Sequence, residues 1–420
     1  MLRTYIIPLT LASFIAAQST QAAGLWLYET GTEDLGLATA GRAATASDAS
    51  IAAGNPAGMP LLKESGLVAT SQILYINSRF DTEEASFGGG DGGNAGGLVP
   101  SGGISYAHKY NDDLWFGISF GSYFGLGLDY GDDWAGRYYV TEAELLTVVL
   151  NPSVGYQVNE WLSVGGGIDI VYSTLDQRAA VNNVLDPTFG DGELKLKDDD
   201  IDWGYNLGIM IQLSEKTRLG LTYRSEVDIE FNDVAELSNI GPLLEGALGD
   251  LIGSKASLDM KIPNNLLLSG FHQLNDDWAI MANIGWQEWS EFGKQELSIN
   301  STTATSFTKD LNYDDTWHFA LGTQYQINPK LRYSCGISHD TSPADKSNRS
   351  PDLPFDRVWR FANGINYQWK ENISIGLAYE YMDLGSAEID IDGGPVRGDL
   401  KGEYDINAVH FFAANFNMTF

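Results

Sequence analysis

Several stretches of this sequence carry residue types that do chemistry elsewhere, and each lacks the neighbours its chemistry needs. "GISFG", Gly117–Gly121, has the spacing of a nucleophile elbow, where a sharp strand-to-helix turn exposes a serine hydroxyl. Ser119 instead sits mid-strand in unbroken alternation, with no helix after it. "GGGDGG", Gly88–Gly93, contains the glycine spacing of a dinucleotide-binding turn but lies in an acidic, glycine-rich loop without a strand–helix–strand unit. The acidic runs Lys197–Asp202 and Ile389–Gly394 lack the spacing of a dedicated calcium loop; they read as solvated loops, with contacts to surface divalent cations as the alternative. The five histidines, His108, His272, His318, His339 and His410, have no nucleophile and base in company. A single cysteine, Cys335, excludes an internal disulfide framework and a cysteine-based metal cage. The residues argue against an enzyme and call for no cofactor or metal.

Composition bounds the elements that hold these residues. The 420-residue chain has 25 Lys+Arg against 56 Asp+Glu, a formal net charge of −31, which speaks against nucleic acid as a partner. Hydrophobic residues are 43% and aromatics 12%, too many for an acidic disordered chain, so a large apolar surface must be buried or shielded by lipid. The start, "MLRTYIIPLTLASFIAAQSTQAAG", has a basic residue, an apolar run and small residues ahead of Ala23, the pattern of a secretory signal over residues 1–22. The run is too short to span a membrane as a helix, which needs roughly 20 residues.

Most of the chain beyond residue 64 alternates with period two. In "WAIMANIGW" Trp278, Ile280, Ala282, Ile284 and Trp286 share one face, with Asn283 and Gly285 on the other. "ISIGLAYEY" and "LWFGISFG" alternate likewise, with glycine, serine and alanine recurring on the second face, as suits a crowded lumen rather than a solvent face. Six short connections share a pattern: "KYNDDLW", "YQVNEWLSVG", "IQLSEKTRLG", "FHQLNDDWAI", "YQINPKLRYS" and "YQWKENISIG". Long irregular segments take turns with them, at 77–99, 127–138, 179–200, 232–255, 299–310, 341–354 and 391–402. Short turns on one side and long loops on the other are the asymmetry of outer-membrane barrels. The fold class is therefore all-β, a 14-stranded antiparallel transmembrane β-barrel over residues 65–420 with both termini periplasmic. The closing strand "AVHFFAANFNMTF" ends in Phe420, the terminal aromatic that bacterial barrel-assembly machinery reads, making that machinery an expected partner.

Residues 23–64 fit neither signal nor strand. A barrel of this size leaves a lumen its own side chains do not fill. This alanine-, glycine-, serine- and threonine-rich segment is read as an N-terminal hatch folded back into the bore; a disordered leader is the alternative. Asn55-Pro56 reads as a turn or helix start, since Asn caps and Pro is tolerated at the first helical position.

The segment resembles the hatch of the FadL family, outer-membrane transporters of long-chain fatty acids and other hydrophobic molecules. The residues carrying the resemblance are "AGLWLYE" at Ala23–Glu29, Gly36 and Gly41, "SDAS" at Ser47–Ser50 and "NPAGM" at Asn55–Met59. It implies a plugged barrel in the bacterial outer membrane, with Asn55, Pro56 and Ala57 lying against an inward kink of the third strand. Gly117, Gly121 and Gly125 of that strand face inward and are the bend candidates, or they simply make room in a tapered lumen. It also implies a pocket at the mature third residue, Leu25, and a surface groove built by the loop after the seventh strand. There Leu243, Leu244, Leu248, Leu251 and Ile252 recur at near-helical spacing, equally compatible with a helix packed on other loops. Arg224, Arg332 and Arg360 fall on inward faces; each is a candidate for a substrate carboxylate or a partner for acids such as Asp169, Glu380 or Asp48. The implied function is passive uptake of a hydrophobic molecule, foremost a long-chain fatty acid, leaving sideways through the wall. Aromatic hydrocarbon uptake by the same route and a non-specific porin are the alternatives, though a porin gives the hatch no purpose. Expected partners are the hydrophobic substrate and outer-membrane lipid and lipopolysaccharide, and the chain is expected to be a monomer.

Overall fold

Alternation dictates the wall. Along Trp278–Gln287, Trp278, Ile280 and Ile284 are exposed, whereas Ala279, Met281 and Asn283 are buried. The same switch at every span puts Phe116, Ile118, Phe319, Leu321, Phe361 and Phe412 on an outward apolar belt that lipid would cover. The computed structural model describes residues 27–29, 31–232, 235–248, 255–300 and 305–420; the signal segment and Leu25 lie outside them.

Fourteen spans close the barrel. β1 is Gly66–Ala85, β2 Leu98–Lys109, and β3 runs Leu114–Gly121 and resumes as Gly125–Asp129. β4 is Glu142–Asn159, β5 Leu162–Val181 and β6 Gly192–Ser214. β7 is Thr217–Arg224 continued by Val227–Asn232, and β8 is Lys255–Ile262 continued by Asn265–Gln273. β9 joins Trp278–Gln287 to Lys294–Asn300, and β10 joins Thr305–Asp310 to Thr316–Asn328. β11 is Leu331–Asp340, β12 Val358–Lys370, β13 Ile373–Asp383 and β14 Asp399–Thr419. Neighbours are antiparallel throughout, and β14 closes on β1 from Thr419 opposite Gly66 to Leu400 opposite Ala85.

The shared turn pattern has a physical cause. Gln157, Gln212, Gln273, Gln326 and Gln368 each donate their side-chain amide to the carbonyl two residues on. Four of these glutamines stand at a register shift in the ladder, so the amide satisfies a carbonyl that the bulge takes out of pairing. On the opposite side the strands outrun the loop boundaries expected from sequence. β1 continues to Ala85, β5 to Val181 and β6 starts at Gly192, because pairing proceeds where the residues turn acidic. Asp198 and Asp200 are thus strand residues, accepting the backbone N–H groups of Asn232 and Glu230. The upper parts of β7 to β10 leave the barrel as a separate four-stranded sheet. Asn264 holds the bend, accepting from Glu226 N–H and donating to Glu288.

Residues ahead of Gly66 fill the bore with two short helices, α1 (Thr32–Gly36) and α2 (Ile51–Gly54), and a 3-10 turn over Pro56–Leu61. Beyond the hatch, α3 (Pro242–Leu248) lies between β7 and β8, and the helical turn α4 (Trp289–Phe292) interrupts β9. Asn55 caps the 3-10 turn, its side chain accepting from Ala57 N–H at 3.1 Å, with Pro56 at the first position. The hatch presses closely on the wall at several wall glycines. A Cβ at Gly208 would overlap Asn55, at Gly165 Ala57, at Gly220 Ala43, and at Gly336 the Leu37 carbonyl. Replacing Gly208 by valine therefore has a definite outcome: the hatch is displaced while the barrel still closes, at a cost of about 1–3 kcal/mol. Heat-modifiable gel migration should be retained and planar-bilayer conductance should rise well above that of the parent protein.

Candidate functional site

The third strand breaks where its glycines stand. β2 and β3 pair from Lys109 opposite Trp115 to Ile104 opposite Phe120, and among the described residues no pairing continues above. Ser122–Phe124 swing inward between Gly121 and Gly125, and beyond them β3 pairs only with β4. Tyr123 and Phe124 are buried, and Phe124 meets Phe292 and Trp289 at ring distances of 5.7 and 6.2 Å. Those two aromatics lie on α4, the helical turn inside β9.

A small cavity opens at the break, lined by Ser101–Gly103, Ser119–Tyr123 and, from within, by Glu29, Arg42, Ala53 and Arg224. Hatch and wall are joined there directly, Leu27 N–H donating to the Tyr123 carbonyl at 2.8 Å. The Asn55-Pro56-Ala57 turn does not lie at the bend itself: it seats on Gly155, Gly165 and Gly208 of β4, β5 and β6. β3 meets the hatch lower down, where Gly117 faces Ala52 and Met59, so the expectation that the motif touches the kink is corrected.

The three inward arginines go to different places. Arg224 pairs with Asp169 at 2.9 Å, lies 4.3 Å over the Tyr123 ring and lines the cavities on both sides of it. Arg360 is buried among three acids: Glu29 of the hatch at 3.0 Å, Glu380 at 3.8 Å, and Asp340. Arg332 lies at the short-turn end, lining polar cavities that include Ser47 and Asp48. Burial raises the Asp48 carboxyl above its ordinary range, opposed by its hydrogen bonds from Ser50. Burial, and then the charge of Asp340, likewise keep the Tyr28 hydroxyl protonated, and it accepts from Gln287 and Asn265.

Sequence reasoning missed one constellation. His318 stands between Thr39 Oγ1 at 2.8 Å and Asp340 Oδ1 at 2.7 Å, a hydroxyl–imidazole–carboxylate row whose members come from hatch, β10 and β11. Thr39 is fully buried, so the row fastens the hatch instead of presenting a nucleophile. Asn283 completes the fastening: it donates to the Thr39 carbonyl at 2.7 Å and accepts Gly41 N–H at 2.8 Å. Only tertiary placement brings these together; the one sequence signal was polar Asn283 and His318 on inward faces.

Of the groove candidates, Leu243 and Leu244 lie on α3, with Leu243 62% exposed and Leu248 at its end. Leu251 and Ile252 lie outside the described residues.

Comparison with known proteins adds the identity of this arrangement. The family model of outer membrane protein transport proteins (OMPP1/FadL/TodX) matches residues 13–420. The chain belongs to the FadL family. It is 30% identical to outer membrane protein P1 of Haemophilus influenzae over 89% of each chain. It is also 30% identical to the long-chain fatty acid transport protein of an Escherichia coli O6:H1 strain over 98% of each. A solved Pseudomonas aeruginosa FadL homologue superposes with a TM-score of 0.86 at 22% identity, covering 95% of this chain and all of that one. The Pseudomonas putida toluene transporter TodX gives 0.67 at 16%, covering 94% and 99%. The protein is thus an outer-membrane transporter with the FadL fold, and its family is one of transporters and channels. In this FadL-type barrel Phe124 anchors the bend. Phe124→Ala should destabilise it by about 3–5 kcal/mol and speed amide hydrogen exchange over residues 121–128, with the β9–β10 ladder unchanged.

Proposed function

We propose that this protein carries long-chain fatty acids passively across the outer membrane and releases them sideways through the break between β2 and β3. The observation that carries this reading is the break itself: a wall opening with a hatch-lined cavity behind it and lipid-facing apolar residues outside. Capture begins at exposed apolar surface such as Leu243 on α3. The route then runs along the buried aromatic layer of Trp289, Phe292, Phe355 and Phe124 to the cavity at Tyr123. Each Å² of apolar surface kept from water on this route gains roughly 25 cal/mol, so no energy input is required.

A fatty acid is favoured over an uncharged hydrocarbon by Arg224, which lines that cavity. Long-chain fatty acid transport and toluene transport are functions of the relatives themselves, and the higher sequence identity is to the former. Arg360 is engaged by three carboxyl groups and Arg332 sits at the periplasmic mouth. Arg224, paired among the described acids with Asp169 alone and lining the cavity at the break, is therefore the residue assigned to the substrate carboxylate. Barrel-assembly machinery, outer-membrane lipid and lipopolysaccharide are the partners this placement implies, with the protein acting as a monomer.

Two experiments test the reading. A Cβ on Gly121 would lie 3.6 Å from Gly103 Cα, so a Gly103→Cys/Gly121→Cys pair in a Cys335→Ser background is placed to cross-link the break. Oxidation should abolish uptake of labelled oleate and reductant should restore it; uptake indifferent to the cross-link would exclude lateral exit. Arg224→Leu should weaken oleate uptake at limiting concentration on the order of tenfold or more, the worth of a charge-assisted hydrogen bond, while toluene uptake holds. Equal loss for both molecules would move the carboxylate site elsewhere.

A further inference from the structure

The cavity at the β2–β3 break is lined by more polar groups than an apolar cargo needs. Four serines line it: Ser101 and Ser105 of β2, Ser119 of β3 and Ser122 in the bend. Ser105 and Ser119 stand opposite each other one pair below the end of the ladder, both more than nine-tenths buried. Its volume of ≈40 Å³ admits the few atoms of a head group and no acyl chain. Three charged side chains line it, and each already faces a counter-charge. Arg42 has Asp34 at 2.7 Å, Arg224 has Asp169 at 2.9 Å, and Glu29 has Arg360 at 3.0 Å. Behind Glu29, Arg360 also faces Asp340 and Glu380. No cation of this group is left over for an ionised head.

What the lining can still accept is a donor. Asn151, 2% exposed, turns its amide nitrogen to Asp169 Oδ1 at 2.8 Å, Asn206 Oδ1 at 3.2 Å and the Ile168 carbonyl at 3.3 Å. Three acceptors on that side fix the orientation of the amide, and its oxygen accepts no hydrogen bond from the described residues. Glu29, 3% exposed, accepts none on either carboxyl oxygen, although Arg360 Nε stands at ion-pair distance. A buried acceptor without a donor is costly, and a ligand that brings an O–H offsets that cost. The lipid side adds a second constraint. Outside the break stand Phe116, Ile118 and Phe120, and an ionised group moving onto that surface loses its hydration at far greater cost than a neutral one.

We propose that this cavity takes the substrate's head in a neutral, proton-donating form, so that the protein carries long-chain primary alcohols as well as fatty acids that hold their proton. Asn151 Oδ1 from the wall, or Glu29 from the hatch, accepts the head's O–H, and Arg224 donates to a head-group oxygen. A fatty acid meets the requirement as R–COOH, its carboxylate having taken a proton from water before it reaches the break. A methyl ester keeps the carbonyl that Arg224 would meet but brings no donor, and a hydrocarbon brings neither. The inference rests on the lateral route proposed above and refines the head group that Arg224 receives there.

Uptake by cells expressing the full chain, less that of cells without it, decides this with three labelled probes at limiting concentration: oleic acid, oleyl alcohol and methyl oleate. Oleyl alcohol should enter at a rate comparable to oleic acid, and methyl oleate about tenfold more slowly or worse, the effect of leaving a buried acceptor unmet. Exclusion of the alcohol would mean that the head is read as an anion, and an ester as fast as the acid would mean that no donor is read; either overturns the inference. Asn151→Leu should slow acid and alcohol about tenfold and leave the ester unchanged, which erases the discrimination. Equal loss for all three probes would make Asn151 a packing residue and overturn its assignment. The three-probe comparison needs no variant and stands if Asn151→Leu does not fold. The Gly103→Cys/Gly121→Cys cross-link separates site from route. Uptake that continues under oxidation with the discrimination intact rejects lateral exit and keeps the head-group site. A cross-link that stops three probes carried equally well beforehand keeps the exit and rejects the site.

Discussion

Everything in this molecule depends on close backbone approach between a fixed wall and a separate segment inside it. A barrel this wide cannot fill itself with its own side chains, and side chains long enough to try would hold the segment away. The wall answers with glycine at the contact points: Gly208 under Asn55, Gly165 under Ala57, Gly220 under Ala43, Gly336 under Leu37. Gly165, Gly220 and Gly336 lack a Cβ where hatch backbone needs the space, and Gly208 where the Asn55 side chain does. Such contact brings hatch N–H and C=O groups against the wall, away from water, and they must then be paired.

The pairing is done by inward side chains spaced around the barrel. Asn283 serves Thr39 and Gly41, Ser269 accepts Ala43 N–H, and Arg218 donates to the carbonyls of Ala44 and Thr45, while Asn55 of the hatch reaches the other way to the Ile209 carbonyl. These polar fastenings are joined by apolar ones, Ile51, Ala52 and Met59 clustering with Val68, Ala107 and Trp115, and Leu37 and Ala40 with Ala279, Met281 and Ala320. Aromatic packing lies above them, where Phe124, Trp289, Phe292 and Phe355 meet. The bore is thus closed by mixed polar and apolar contacts to the hatch below and by a packed aromatic layer above.

The fold was legible because its signals are local. Alternation, the repeated glutamine-bearing turns and the terminal Phe420 are each read within a dozen residues, and they recover the strand count. The Asn55-Pro56 helix start was legible for the same reason. Long-loop boundaries were misread because strand pairing needs no apolar alternation once both faces are wet; Asp198 and Asp200 pair as well as Ile209 does. At the site, inward phase placed Arg224, Arg332 and Arg360 in the lumen together with Asp169 and Glu380 but did not say which would pair. The pairs Arg224–Asp169 and Arg360–Glu380, and which of the third-strand glycines flank the break, are set by tertiary placement. Glu29 and Thr39 were invisible because their meaning lies in residues hundreds of positions away, and Asp340 because its partners stand on neighbouring strands, 22 and 20 positions off. So was the seat of the Asn55–Ala57 turn on β4–β6, which depends on how the hatch is rotated within the bore.

That rotation also bears on the direction of exit. Beneath the hatch the periplasmic mouth is polar, with cavities of ≈230 and ≈370 Å³ bordered by Arg218, Asp276, Gln326, Lys330 and Arg332. An apolar chain moving axially would exchange the aromatic layer for this wet, charged vestibule and lose roughly 25 cal/mol for every Å² it exposes. At the β2–β3 break the same chain would pass from Tyr123 and Phe124 to a membrane-facing surface carrying Phe116, Ile118 and Phe120. The difference would grow with chain length, so on the proposed route a long acyl substrate would be steered sideways more strongly than a small aromatic one.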